Sequence, residues 1–283
     1  MISIHPFFAL TTFLVISALS GCANTENRQW PSAQEDGNAS QAHEEVVLKC
    51  HNDHIEKHRA FVEPKCITSA VALTKQINQR ENVPIPEGES WFKVIKGNVP
   101  IIVTAPHATR PLREGKRRFA DGGGTAALAI AIGQLTGASV IFTTYEGPSD
   151  PNYYDDNAFK EALAQLIESE HPTLILDIHG SHPFRSYDID FGTMRGRSLL
   201  GRDEILKTLM GYLEKEGILN FSHNRFGASK YETITKFGSA HGVPTIQLEI
   251  NANWISPDAG NPDAHRFSKM TSGLSRFILE TQL

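Results

Sequence analysis

Four short apolar runs, residues 101–105, 140–144, 173–178 and 245–250, constrain this chain more than any other feature. Each carries Ile, Val or Leu and is too short for a typical helix; the first three are largely continuous in apolar side chains, which is how a strand reads when both faces of its sheet are covered, and the last reads with them as a buried strand. Residues 126–135, 156–168 and 204–214 lie between them and read as amphipathic helices, with apolar side chains at the spacing of one helical face. Alternation of this kind builds a largely parallel sheet with helices on both sides. The expected fold class is therefore α/β, a three-layer sandwich with a mixed, mostly parallel central sheet. Residues 91–95 read as a short lead-in strand. Residues 187–192 alternate polar and apolar side chains and suit an added strand near an edge. Residues 43–80 read as two helices broken near Pro64, within a helical N-terminal extension (43–90) of the α/β domain (91–283).

The N-terminus sets a second constraint. Residues 6–19 form an uncharged apolar run, shorter than the about 20 residues that span a bilayer as a helix, and they read as the core of a signal peptide. Leu19-Ser20-Gly21-Cys22 follows directly and resembles the lipobox of bacterial lipoproteins. That resemblance implies removal of residues 1–21, a lipid on Cys22, and anchorage to the cell membrane or outer membrane, facing the periplasm or the outside. The first five residues hold no Lys or Arg, which departs from the usual leader. Residues 22–42 are polar apart from Trp30 and read as a flexible tether, because they cannot bury enough surface to order themselves. An oxidising compartment allows Cys50 and Cys66 to pair, closing a loop worth about 3 kcal/mol; two buried free thiols are the alternative. His51, His54 and His58 read as a solvated helix face. With 27 Lys and Arg against 32 Asp and Glu the formal charge is -5, and no basic stripe tracks a phosphate backbone, so no nucleic-acid partner is expected.

In α/β sheets the ligand site lies at the carboxyl ends of the strands, and here those ends are polar. The first run leads into Pro106-His107-Ala108-Thr109-Arg110, the third into Asp177-Ile178-His179-Gly180, and the last ends in Glu249-Ile250-Asn251. Two imidazoles and a carboxylate from separate strand ends are the ligand types of a catalytic zinc site. The acidic ligand is not given by an H-x-x-E pattern, since Arg110 stands three after His107. Asp121 is the best candidate, with Glu114 behind it. A cation is needed for a developing oxyanion or a substrate carboxylate, and the guanidinium fork suits both; Arg110 is the first choice and Arg225 the second.

Val103-Thr104-Ala105-Pro106-His107, Arg118-Phe119-Ala120-Asp121-Gly122 with Thr125, Asp177-Ile178-His179, Asn224-Arg225-Phe226-Gly227 and Gln247-Leu248-Glu249-Ile250-Asn251 resemble, in order and spacing, the motifs of the N-formylglutamate amidohydrolase family over roughly residues 98–280. The resemblance implies a fold like that of zinc carboxypeptidases and one Zn2+ per chain on His107, Asp121 and His179. It also implies hydrolysis of an amide by metal-activated water with Glu249 as general base, and Arg225, Asn224 and Asn251 against the substrate. The chain departs from the family between residues 145 and 154. Asp150 and Asn152 match there, but the two arginines usual in that segment are absent, and Ala252 stands where arginine is common. The substrate is therefore expected to be another N-acylated amino acid or a peptide, such as a cell-wall fragment or a γ-glutamyl polymer. A lipoprotein that keeps the fold but only binds acidic peptides or a protein partner is the competing reading.

Gly122-Gly123-Gly124-Thr125-Ala126-Ala127 fits a dinucleotide fingerprint in form, but it follows the charged stretch 113–118 rather than a strand, which removes that reading. No G-x-S-x-G occurs, which argues against a nucleophile-elbow serine hydrolase.

Overall fold

Each apolar run becomes a strand because its side chains find cover on both sides. The computed structural model describes residues 60–281; the leader, Cys22, the tether, Cys50 and the histidines at 51, 54 and 58 lie outside the described residues. The strands are β1 (Phe92–Ile95), β2 (Val99–Ala105), β3 (Leu112–Arg113), β4 (Lys116–Arg117), β5 (Ala138–Thr143), β6 (Leu174–Ser181), β7 (Ile189–Gly192), β8 (Phe221–His223) and β9 (Thr245–Asn251). The helices are α1 (Pro64–Arg80), α2 (Gly123–Thr136), α3 (Ala158–Glu170), α4 (Asp203–Lys215), α5 (Ile234–Ala240) and α6 (Asn261–Glu280). Seven strands form one sheet in the order β1-β5-β2-β6-β9-β7-β8, and β3 and β4 pair as a separate hairpin. β5, β2, β6 and β9 run parallel, while β1 and β7 are antiparallel to their neighbours β5 and β9. This is the expected mixed, mostly parallel α/β sandwich. β7 lies one position in from the edge, which β8 forms; at three residues β8 is too short to mark itself in the sequence.

Two apolar clusters divide cleanly between the faces. Val103, Leu176, Ile178, Leu248 and Ile250 pack with residues of α1, α2, α4 and α6, whereas Ile102, Ile141 and Ile175 pack with Phe159 and Leu163 of α3 and Ile234 of α5. The period of two along each strand assigns alternate side chains to opposite layers, and each fully buried Leu, Ile or Phe contributes about 1.5–3 kcal/mol. α2 is buried over nearly its whole surface and is accordingly apolar all round. From Pro64 on, the N-terminal helical segment packs into this same core through Cys66, Ala70, Leu73 and Ile77. α6 goes unmarked by the reading of the sequence because Ser272, Gly273 and Ser275 dilute its face, yet all three are buried beside Met270, Leu274 and Phe277.

The glycine run that opens α2 serves close packing. A Cβ at Gly123 would stand 2.5 Å from the Thr74 carbonyl oxygen, and one at Gly124 would stand 1.7 Å from that of Ile255. The chain passes from β2 to β5 on one side and then from β5 to β6 on the other side of β2. The carboxyl ends of β2 and β6 therefore flank a switch point, where a crevice opens between diverging connections.

Candidate metal centre at the switch point

One face of the sheet turns polar toward its carboxyl end. On β6, Asp177, His179 and Ser181 share that face, and their register partners on β9 are Gln247, Glu249 and Asn251. Thr104 of β2 is the partner of Asp177 and donates to its Oδ1 at 2.6 Å. Asp190 of β7 pairs with Glu249 from the other side. The pleat thus carries a patch of polar side chains into the crevice, whereas the opposite face stays apolar.

His107 follows β2 directly, and its carbonyl accepts the Asp121 N–H at 2.7 Å. Asp121, just before the glycine run, reaches His179 Nδ1 at 2.8 Å through Oδ2, and the same oxygen lies 3.6 Å from His107 Nδ1. Among the described residues, His107, Asp121 and His179 are the group whose ligand atoms come close enough to hold a metal ion, all within 4.8 Å of one another. The two Nε2 atoms are tied from behind. Asp150 Oδ1 lies 2.8 Å from His107 Nε2, and Asp177 Oδ2 lies 3.1 Å from His179 Nε2. Asn152 Nδ2 is 2.7 Å from His179 Nε2, and its Oδ1 accepts the Ile234 N–H at 2.6 Å, which fixes the amide.

This donor set fits a divalent cation. Tetrahedral ligands about 2.0–2.1 Å from zinc stand roughly 3.3 Å apart, between the two separations of Asp121 Oδ2 from the Nδ1 atoms. Metal-bound histidines characteristically give their second nitrogen to a carboxylate or carbonyl, and Asp150 and Asp177 are fully buried carboxylates in that place. Burial alone would lower the His107 pKa, but Asp150 and Asp121 bring it up to about 9. His179 is likewise raised, against its burial, by Asp177 and Asp121. Asp121 and Asp150 are held well below the usual carboxylate range despite burial, the first by both imidazoles and the second by His107 and Arg113. Three carboxylates around two imidazoles demand positive charge, which either protons or a metal ion can supply.

The cluster opens on a cavity of about 340 Å³ whose walls include Glu249, Gln247, Arg225, Lys230, Tyr231 and Arg113. Burial chiefly pushes the Glu249 pKa up to about 7, and Gln247 Nε2 donates to its Oε1 at 2.9 Å. Arg225 rests over the Tyr187 ring, 5.8 Å from its centroid, and Asp190 receives the Arg225 and Phe226 N–H groups, which holds this wall in place.

Other residues singled out in the sequence stand elsewhere. Arg110 turns away from the cavity, its guanidinium engaged by Asn82 Oδ1 at 2.6 Å and the Arg118 carbonyl at 3.0 Å. Glu114 occupies the tip of the β3–β4 hairpin at φ 52, outside the histidine cluster, so the acidic group beside the imidazoles is Asp121. Asn224, at φ 57, accepts the Thr193 and Arg195 N–H groups and shapes a turn. Asn251 donates to the carbonyls of Pro183, Arg185 and Tyr187 and shapes the loop after β6. Cys66 is buried in α1, but its expected partner Cys50 lies outside the described residues. Conversely, Arg113, Lys230 and Tyr231 join the site without having been marked, and Gln247, quoted within the last motif segment, joins it without having been given a role. The signal for the first was Glu114-Gly115 between two short segments, the form of a two-residue hairpin.

No protein-family model matches the chain, and no curated protein matches it. Among solved structures it is similar to a poly-gamma-glutamate hydrolase of a bacteriophage, at 18% identity over 67% of this chain and 87% of that one, with a TM-score of 0.46. It is similar to an N-formylglutamate amidohydrolase from Ralstonia eutropha JMP134, at 13% identity over 67% of this chain and 97% of the other, with a TM-score of 0.48. A metallo-carboxypeptidase from Pseudomonas aeruginosa aligns at 11% identity over 77% of this chain and 69% of its own, with a TM-score of 0.46.

Proposed function

We propose that this chain is a metal-dependent hydrolase that cuts an amide bond in an N-acylated amino acid or a peptide, such as a cell-wall or γ-glutamyl fragment. The observation that carries the reading is the convergence of His107 Nδ1, His179 Nδ1 and Asp121 Oδ2 at a cavity that Glu249 also lines. A divalent ion held there, zinc on this reading, would polarise the amide carbonyl and lower the pKa of water. Glu249 accepts the proton of the attacking water and returns it to the leaving nitrogen. With its pKa pushed up to about 7, it is matched to both transfers near neutral pH. Gln247 holds one Glu249 oxygen in place. Arg225 and Lys230, which line the same cavity, orient a substrate that carries its own carboxylate, since a guanidinium meets a carboxylate with two parallel hydrogen bonds. The expected lipid on Cys22 would place this chemistry at a membrane surface.

The test is elemental analysis of the full-length chain, prepared without chelator, together with His107→Ala, His179→Ala and Asp121→Ala, followed by a turnover screen on acylated amino acids and γ-glutamyl and cell-wall peptides. About one zinc per chain, absent from the three variants, with turnover lost by ~10²–10⁴-fold in a metal-loaded Glu249→Gln, supports the reading. A wild-type chain that takes up no metal from added zinc would remove it and leave a binding lipoprotein.

A further inference from the structure

The segment between His107 and Asp121 contains a hairpin that neither candidate ligand requires. β3 and β4 pair through Leu112↔Arg117 and Arg113↔Lys116, and the two residues between them, Glu114 and Gly115, both have positive φ, 52° and 70°. This is the two-residue turn that matches strand twist. The hairpin is latched to residues 146–154 at three heights. At the tip, the Glu114 N–H donates to Tyr154 Oη at 3.0 Å and Tyr153 Oη donates to Glu114 Oε1. At the base, Arg117 pairs with Glu146 at 3.2 Å and donates to the Gly147 carbonyl. In the middle, Arg113 reaches Asp150.

Asp150 is fully buried, and all its hydrogen-bond partners are accounted for. Oδ1 meets His107 Nε2 at 2.8 Å and the Asn152 N–H at 2.9 Å. Oδ2 receives both Arg113 Nε at 2.9 Å and Arg113 Nη2 at 2.7 Å. The guanidinium also lies against a packed pair of rings, 4.6 Å from the Tyr153 centroid and 5.1 Å from that of Tyr231. Among the described contacts Arg113 alone holds Oδ2, so without it the buried carboxylate keeps only its Oδ1 contacts to the Asn152 N–H and His107 Nε2 and leaves its other oxygen unpaired, which loosens the partner of His107 Nε2.

We propose that Arg113 is a positioning residue of the metal centre: acting through Asp150, it fixes the orientation of the His107 imidazole so that Nδ1 faces Asp121 and His179. The inference rests on the reading of that cluster as a metal site. It also assigns the hairpin a purpose, which is to carry one guanidinium behind a ligand that lies on the same connection.

The test is a double-mutant cycle on zinc affinity, measured by competition with a chromophoric chelator at one fixed neutral pH, using the full-length chain and checking folding by circular dichroism. Arg113→Ala and Asp150→Asn should each weaken zinc binding by about 10–100-fold, the size usual for loss of a group that orients a ligand. The double variant should be little weaker than the weaker single, because both changes remove one relay. Arg113→Lys should lie between wild type and Arg113→Ala, since an ammonium supplies the charge but not the planar fork. It carries the same cycle if Arg113→Ala does not fold. Zinc held equally well by wild type and folded Arg113 variants, with only KM raised, would overturn the proposal and make Arg113 a substrate contact. Losses that multiply in the double variant would overturn it as well. A wild type that binds no zinc would take down the functional reading and this inference together, whereas unchanged affinity in the variants defeats this inference alone.

Discussion

Gly180→Ala tests the geometry of the site from beneath. Gly180 follows His179 on β6, and the Asp121 segment lies against it with no side chain between. A Cβ there would stand 2.8 Å from the Asp121 carbonyl oxygen, 3.1 Å from Asp121 Cβ and 3.0 Å from Ile255 Cδ1. The Ile255 methyl ends a flexible side chain and can give way. The Asp121 backbone cannot, because its N–H is bonded to the His107 carbonyl at 2.7 Å and its carboxylate to His179. Ordinary contact begins at 3.4 Å, so the added methyl must lift Asp121 by roughly half an ångström. Metal–ligand distances tolerate only about 0.2 Å, so the variant should bind zinc at least tenfold more weakly by chelator competition. Overpacking should also cost about 1–3 kcal/mol, lowering the Tm of the metal-free chain by roughly 2–10 °C. Gly211→Ala is the control: nothing lies within 4 Å of its Cβ and it sits in α4, where the change should stabilise by about 0.5–1 kcal/mol. Wild-type zinc affinity and stability in Gly180→Ala would refute the claim that Asp121 is held against the sheet at this point.

Thr104→Val keeps the volume of a fully buried side chain but removes the donor to Asp177; it should cost about 1.5–3 kcal/mol in urea unfolding, and a loss below about 0.5 kcal/mol would show that Asp177 finds another donor. Lys160 is buried in α3 with its ammonium against Asp155, the Glu232 carbonyl and the Phe237 ring, and burial lowers its pKa below 10.5. The unfolded chain therefore binds more protons than the folded one between the folded pKa and 10.5, so this residue adds stability as pH rises through that window. Lys160→Met should flatten that rise in Tm, and a parallel pH profile for the variant would refute the assignment.

The layers of this fold were legible because their signal is redundant. β2 and β5 are covered on both faces and largely apolar, β6 and β9 keep apolar side chains at alternate positions, and of the helices between them α3 and α4 show one apolar face while α2 is apolar all round. β3, β4 and β8 hold two, two and three residues, too few for any period to register, and their existence depends on partners distant in the chain. β6 runs to Ser181, beyond the apolar run that marks it, because its last turns of pleat carry Asp177, His179 and Ser181 into the crevice. Strand ends that hold chemistry are polar by necessity, and polarity is what conceals them as strand.

The same tension governs the site residues. His107, His179 and Glu249 could be singled out because each lies at or just after the end of a buried strand, where side chains at a switch point have few places to go, and Asp121 because it stands at the glycine run that opens α2. Arginine is different, since a long side chain can swing across a whole loop. Arg110 lies three residues from His107 and yet binds Asn82 beyond α1, while Arg113, three residues farther on, folds back behind His107 because a two-residue turn reverses the chain there. Asn224 and Asn251 belong to the motif segments for another reason: each satisfies backbone groups at a turn, one of them at positive φ. Resemblance in a motif therefore mixes groups that touch a substrate with groups that shape the loops around it. Separating them takes the direction of each side chain, which depends on what lies across the crevice rather than on what lies beside it in the chain.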